Sequence, residues 1–157
     1  MNEPAPELSI VIPAYNEEAR LPRTLARIRE YFSARRVLPE LAPDFALGQL
    51  EIVIVDDGSQ DGTARIAEEW ARQVPLVRLV SNGENRGKGY SVRHGMWEAR
   101  GRLALFTDAD LSSPIEEIEK LLAALAAGND VAIGSRALDR SLISIHQSRL
   151  RELAGII

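Results

Sequence analysis

The sequence predicts an α/β fold, a mostly parallel sheet flanked by helices. Three observations predict it. Apolar runs of strand length alternate with segments of helical periodicity. The run Ile52-Val53-Ile54-Val55 is β-branched throughout, as a strand buried on both faces would be. Three of the apolar runs end in polar or acidic groups: Pro13-Ala14-Tyr15-Asn16-Glu17, Asp56-Asp57-Gly58-Ser59 and Asp108-Ala109-Asp110. The apolar runs behind them, Leu8 to Ile12, Ile52 to Val55 and Leu103 to Phe106, carry no charge.

The elements follow in order. Leu8 to Ile12 is a first strand, closed by Pro13. Leu21, Leu25, Ile28 and Phe32 recur at helical spacing, and Pro22 falls in the first turn, where proline is tolerated. Residues 38–49 carry Pro39, Pro43 and Gly48 and read as a loop. After the second strand, a helix from Thr63 to Gln73 turns Ile66, Ala67, Trp70 and Ala71 inward. Val77 to Val80 is a third strand, and Asn82 to Gly87 a turn. A helix from Lys88 to Ala99 carries His94, which has no evident role. Trp70 and Trp97 are both expected in the core. The strand ending at Asp108 is followed by a Ser113 cap and by Pro114 at the first helical position. Ile115, Ile118, Leu121, Leu122 and Leu125 form that helix's inner face. Gly128-Asn129 stops it, and Val131-Ala132-Ile133 is a fifth strand.

Composition narrows the function. A chain of 157 residues has room for one sizeable core rather than two domains. A formal net charge of −4 argues against a general nucleic-acid binder. Without cysteine there is no disulfide or thiolate chemistry. His94 and His146 stand apart from any metal-ligand spacing, so no zinc site is expected. Met1 to Glu7 has no signal-like pattern, and no apolar stretch approaches a membrane span. These features lead to an expectation of a cytoplasmic protein, or one on the cytoplasmic face of a membrane.

In parallel α/β sheets, ligands bind beyond the carboxyl ends of the strands. If the strand runs through Asp108 and Asp110, both point the same way and Ala109 the other. Side-by-side carboxylates repel unless something positive sits between them. A divalent metal holding a diphosphate would satisfy them, and Mg²⁺ or Mn²⁺ needs only one or two carboxylates. Lys88 sets a cation against the dipole of the helix it opens. A bound anion would remove that conflict, so Lys88 is a candidate phosphate ligand. Asp56 and Asp57 lie in good turn chemistry, and Asp56 keeps that role.

The segments Ile12 to Glu18, Val55 to Thr63 and Asp108 to Asp110 match in order and spacing a known pattern. Asn85-Arg86-Gly87-Lys88-Gly89 and Gly134-Ser135-Arg136 add to it. Together they make the chain resemble the family-2 glycosyltransferases of the GT-A fold, which is Rossmann-like. It is most similar to the polyprenyl-phosphate sugar transferases, including the dolichyl-phosphate β-glucosyltransferase group. The resemblance covers residues 8 to about 155. It implies an inverting, metal-dependent hexosyltransferase moving glucose from UDP-glucose to a polyprenyl or dolichyl phosphate. GDP-mannose or another acceptor, or a nucleotide-sugar-binding module with little activity, are the alternatives. A receiver domain would need its acidic pair on the first strand, and a pyrophosphorylase a glycine-rich loop there; neither is present.

The resemblance also implies residue roles. Asp57 would accept a hydrogen bond from the nucleotide base. Pro13, Ala14, Tyr15, Glu17 and Val55 would line the nucleoside. Asp108 and Asp110 would hold metal and donor, with Ala109 leaving room for the sugar nucleotide and Ser112 near the donor. Arg136 would contact donor phosphate, and with Asp108 and Asp110 it makes the implied catalytic set. A lipid monophosphate is mostly dianionic at neutral pH, so it needs no general base. Relatives usually continue into more of the acceptor site. Residues 144–155 match the start of that region, where Arg149 and Arg151 could meet acceptor phosphate or an anionic membrane surface. The expectation is a single donor-binding domain over 1–157 that lacks the C-terminal acceptor or membrane portion.

Overall fold

Two apolar seven-residue strands form the centre. β1 (Leu8–Ala14) pairs in parallel with β2 (Leu50–Asp56), from Leu8 opposite Leu50 to Ala14 opposite Asp56. β3 (Val77–Ser81) and β4 (Leu103–Phe106) flank them, giving the order β3-β2-β1-β4, parallel at every pairing. The computed structural model describes residues 5–34 and 49–134. The expected loop from Leu38 lies outside them except for Gln49, as do Arg136, His146 and residues 144–155 with Arg149 and Arg151.

Strand alternation splits the core in two. On one face Ile10, Ile12, Ile52 and Ile54 join Leu21, Leu25, Ile28 and Phe32 of α1 (Leu21–Ala34). Ala67 of α2 (Thr63–Gln73) and Ile118 and Leu122 of α4 (Ile118–Ala126) complete that layer. Trp70 packs against it, partly buried. On the other face Val11, Val53 and Val55 lie under α3 (Lys88–Glu98). Gly95 sets the closeness of that contact. A Cβ there would lie 2.3 Å from Val11 Cγ1 and 2.7 Å from Val55 Cγ2. The predicted parallel sheet with helices on both faces is therefore present.

Several boundaries differ. β1 continues through Pro13 to Ala14. Its pairing with β4 ends at Val11 opposite Phe106, so the missing proline N–H breaks no rung on that side. β4 stops at Phe106, short of Asp108. Pro114 precedes its helix in extended backbone rather than opening it, and no side chain caps the 3₁₀ turn at Ile115–Glu117 that leads into α4. Gly128, at φ +94°, ends the helix as expected. Val131-Ala132-Ile133 forms no strand; Val131 is 77% and Ile133 80% exposed. Val131 and Ile133 are β-branched and favour a strand, but a strand needs a neighbour to pair with. Trp97 is not a core residue: it is 81% exposed.

Candidate functional site

Because the strands run parallel, the segments leaving β1, β2 and β4 emerge at one edge of the sheet. The first two are laced together. The Asn16 N–H donates to Ser59 Oγ at 3.0 Å, and the Gln60 N–H to Asn16 Oδ1 at 2.8 Å. The Glu17 N–H reaches Thr63 Oγ1 at 2.7 Å, and the Gly62 N–H reaches Glu18 Oε2 at 2.7 Å. Asn16 sits at φ +55°, a left-handed conformation that asparagine tolerates. Sequence reasoning passed over Asn16, Glu18, Ser59 and Thr63 as individuals. Their signal was two polar turns, each rich in side chains able to bond backbone.

Tyr15 is exposed at the lip of this edge, Pro13 is half-buried and Ala14 is buried. The Val55 side chain is fully buried and packs under α3, away from the edge. The side chain thus has a core role, and the expected nucleoside contact at this position is left to the Val55 backbone.

Asp57 is 3% exposed and its carboxylate is already engaged. Oδ1 accepts from Asn82 Nδ2 at 2.6 Å and from the Arg86 N–H at 3.0 Å. Oδ2 accepts from the Gly87 N–H at 2.8 Å. Burial opposes ionisation, but these donors outweigh it and hold the carboxyl below its usual range. Asp57 thus ties the turn after β3 to the end of β2. Asp56 keeps its expected turn role, accepting from the Ser59 N–H at 3.3 Å. His94 gains a role: its Nδ1 lies 2.7 Å from Asn82 Oδ1 and orients the amide that meets Asp57.

Asp108 and Asp110 stand on a turn, not on the strand, so the alternation argument does not apply to them. The Asp108 carbonyl accepts from the Leu111 N–H at 3.0 Å, and Leu111 lies at φ +49°. Ala109 is buried, and its carbonyl accepts from Thr24 Oγ1 of α1 at 2.6 Å. Oδ1 of Asp110 accepts from the Ser112 hydroxyl at 2.6 Å and its N–H at 2.9 Å. The Ser112 hydroxyl contributes most to holding the Asp110 carboxyl below its usual range, with a smaller part from Arg20.

Asp108 has a cation partner from α3, and Asp110 feels a smaller attraction from Arg20. Lys88 Nζ lies 2.6 Å from Asp108 Oδ1. Arg20, which the sequence reading missed, acts on Asp110 and bonds Glu17 Oε2 at 2.9 Å. The anion that Lys88 called for at the start of α3 is, here, Asp108. Among the described residues no three potential metal ligands cluster. Two carboxylates, whose described bonds fall on one oxygen each, still fit Mg²⁺ or Mn²⁺, which completes its shell with substrate phosphate and water.

A parallel sheet whose carboxyl edge gathers these groups is of the GT-A glycosyltransferase class, and solved structures agree. A mannosyltransferase from Pyrobaculum calidifontis, in complex with GDP-Man and Mn²⁺, is 29% identical with a TM-score of 0.58. That match covers 80% of this chain and 33% of the other. S. aureus TarS 1-349 in complex with UDP-GlcNAc is 26% identical with a TM-score of 0.52, covering 66% of this chain and 26% of that one. Residues 9–143 match the model for Glycosyl transferase family 2, and the chain belongs to that family. Its relatives include a dolichyl-phosphate beta-glucosyltransferase of Drosophila melanogaster, 39% identical over 87% of this chain and 42% of the relative. Another, from Trichomonas vaginalis, is 35% identical over 99% of this chain and 47% of the relative. The chain thus spans a little under half the length of these curated relatives.

Proposed function

We propose that this chain binds a nucleotide-activated hexose, UDP-glucose in the first instance, and serves its inverting transfer to a polyprenyl or dolichyl phosphate at the cytoplasmic face of a membrane. The observation that carries this is the Asp108-Ala109-Asp110 turn beside the ends of β1 and β2. It presents two carboxylates, Asp108 paired with Lys88 and Asp110 held by Ser112, at an edge laced from two polar turns. Similarity to dolichyl-phosphate beta-glucosyltransferases supports the choice of sugar and acceptor.

Asp108 and Asp110 would hold Mg²⁺ or Mn²⁺, which would offset the negative charge growing on the departing nucleoside diphosphate. Lys88 stands beside Asp108 and can turn its ammonium to the same phosphates. Ser112 fixes the Asp110 rotamer and the Thr24 bond fixes the Ala109 backbone, so the pair is positioned before the donor arrives. Tyr15 offers an exposed ring at the lip for the base or ribose. The acceptor phosphate needs no proton removed before it attacks the anomeric carbon, with the sugar–diphosphate bond breaking opposite to it.

Calorimetry with UDP-glucose and Mn²⁺ tests the reading. Binding is expected for the wild type, weakened by about tenfold or more in Asp110→Ala. No binding, or equal binding by the variant, overturns it. A second reading, a GDP-mannose donor, draws on the Pyrobaculum mannosyltransferase. A parallel titration with GDP-mannose decides between the two.

A further inference from the structure

α3 is built inside out. Its sheet-facing residues are small: Ser91 and Gly95 are buried. Its large apolar residues face outward, with Trp97 81% and Met96 39% exposed. A surface helix ordinarily does the reverse. The close approach at Gly95 explains the inner face, since nothing bulkier fits above Val11 and Val55. It does not explain a tryptophan in water.

Cations surround that outer face. The Tyr90 ring carries the Arg86 guanidinium at 5.0 Å and that of Arg93 at 5.4 Å. Tyr90, Arg93 and Trp97 are spaced by three and four residues, so they run along one stripe. Of the nearby carboxylates, Glu84 pairs with Arg86 at 3.1 Å, and Glu98 shares Arg78, at 3.3 Å, with the buried Glu51. Arg93 has no carboxylate partner among the described residues. The stripe is therefore aromatic, basic and electrostatically unfinished.

We propose that the outer face of α3 is a docking surface for an anionic lipid bilayer. Tryptophan and tyrosine present an apolar body with a polar tip, which suits the headgroup layer. Unpaired guanidinium beside them supplies attraction to lipid phosphate. α3 begins at the carboxyl edge, where Lys88 meets Asp108, so docking by this face holds that edge next to the bilayer. That consequence rests on the lipid-phosphate acceptor proposed above; the docking itself does not.

The chain contains two tryptophans, so Trp70→Phe leaves Trp97 as the reporter. Phosphatidylcholine vesicles with phosphatidylserine should shift its emission to the blue and sediment the protein. Vesicles without phosphatidylserine should not, and high salt should reverse the binding. Arg93→Glu should weaken binding by at least about tenfold. Arg29→Glu, on α1 across the sheet, should leave it unchanged. Trp97→Ala should lose the binding while keeping its far-UV circular dichroism.

Unmoved Trp97 emission, or equal losses for Arg29→Glu and Arg93→Glu, overturns the proposal. A dimer that Trp97→Ala dissociates, seen by sedimentation without vesicles, assigns the face to a second copy and overturns it as well. UDP-glucose binding is measured on the same proteins. Vesicle binding without nucleotide binding removes the transferase reading alone; the converse removes this inference alone.

Discussion

At the scale of single residues, the candidate site rests on charges balanced within the chain. Asp57 faces donors from Asn82, Arg86 and Gly87. Asp57→Asn keeps the shape but turns an amide N–H₂ toward one of those donors. A lost charged hydrogen bond with an unsatisfied buried partner costs about 1–3 kcal/mol. That loss should appear in urea unfolding, with faster amide exchange confined to residues 82–87. Unchanged stability would remove Asp57 as the anchor of that turn. Lys88 is a different case. Its pair with Asp108 is exposed on both sides, so Lys88→Met should change stability by less than about 1 kcal/mol. Its ammonium competes with a metal for Asp108 yet favours a diphosphate. Lys88→Met should therefore bind UDP more weakly while binding Mn²⁺ alone at least as well as wild type. Calorimetry with each ligand separately checks this, and parallel losses for both would refute it.

At the scale of elements, α3 shows what the sequence could and could not disclose. β1 and β2 were legible because a run of β-branched and leucine side chains has few other uses in water. α1 was legible because Leu21, Leu25, Ile28 and Phe32 keep helical period and are all buried. α3 was legible as a helix but not in its orientation. Its inner stripe is Ser91 and Gly95, which carry no hydrophobic signal, so the sequence points to Trp97 as a core residue instead. The site was read by its acidic residues, whereas its geometry depends on bonds between turns. Arg20 and Asn16 look ordinary until the turns are brought together. The orientation of α3 makes a sharp prediction. Gly95→Ala improves helix propensity by about 1 kcal/mol. The added Cβ would lie 2.3 Å from Val11 Cγ1, however, and overpacking costs about 1–3 kcal/mol. Net destabilisation is expected by thermal unfolding. Val11→Ala in the same chain should recover part of it, because the same contact would be relieved.

At the scale of the whole molecule, the sheet is pinned by a buried carboxylate at each end of β2. At the amino end Glu51 accepts from Ser9 Oγ at 2.6 Å, Arg78 Nε at 2.9 Å and the Arg100 N–H at 2.9 Å. The Gly101 N–H donates to Ser9 Oγ at 2.8 Å, so this cluster ties the α3–β4 connection to β1 and β2. Asp57 does the equivalent at the carboxyl end. For Glu51, as for Asp57, burial opposes ionisation and the donors outweigh it, leaving the carboxyl below its usual range. The direction fixes the pH dependence. A carboxyl whose folded pKa lies below the unfolded value of about 4 stabilises the fold above that value. The contribution is lost as pH falls from there through the folded pKa, because the unfolded chain then binds the proton more readily. Urea midpoints should therefore be nearly flat from neutral pH down to about 5 and then fall steeply. Glu51→Gln and Asp57→Asn should each start lower and fall less. The two carboxylates are separated by roughly 20 Å of extended strand, so their losses should add in the double variant. Variants that fall as steeply as wild type below about pH 4 would show that these two groups do not set the acid limit.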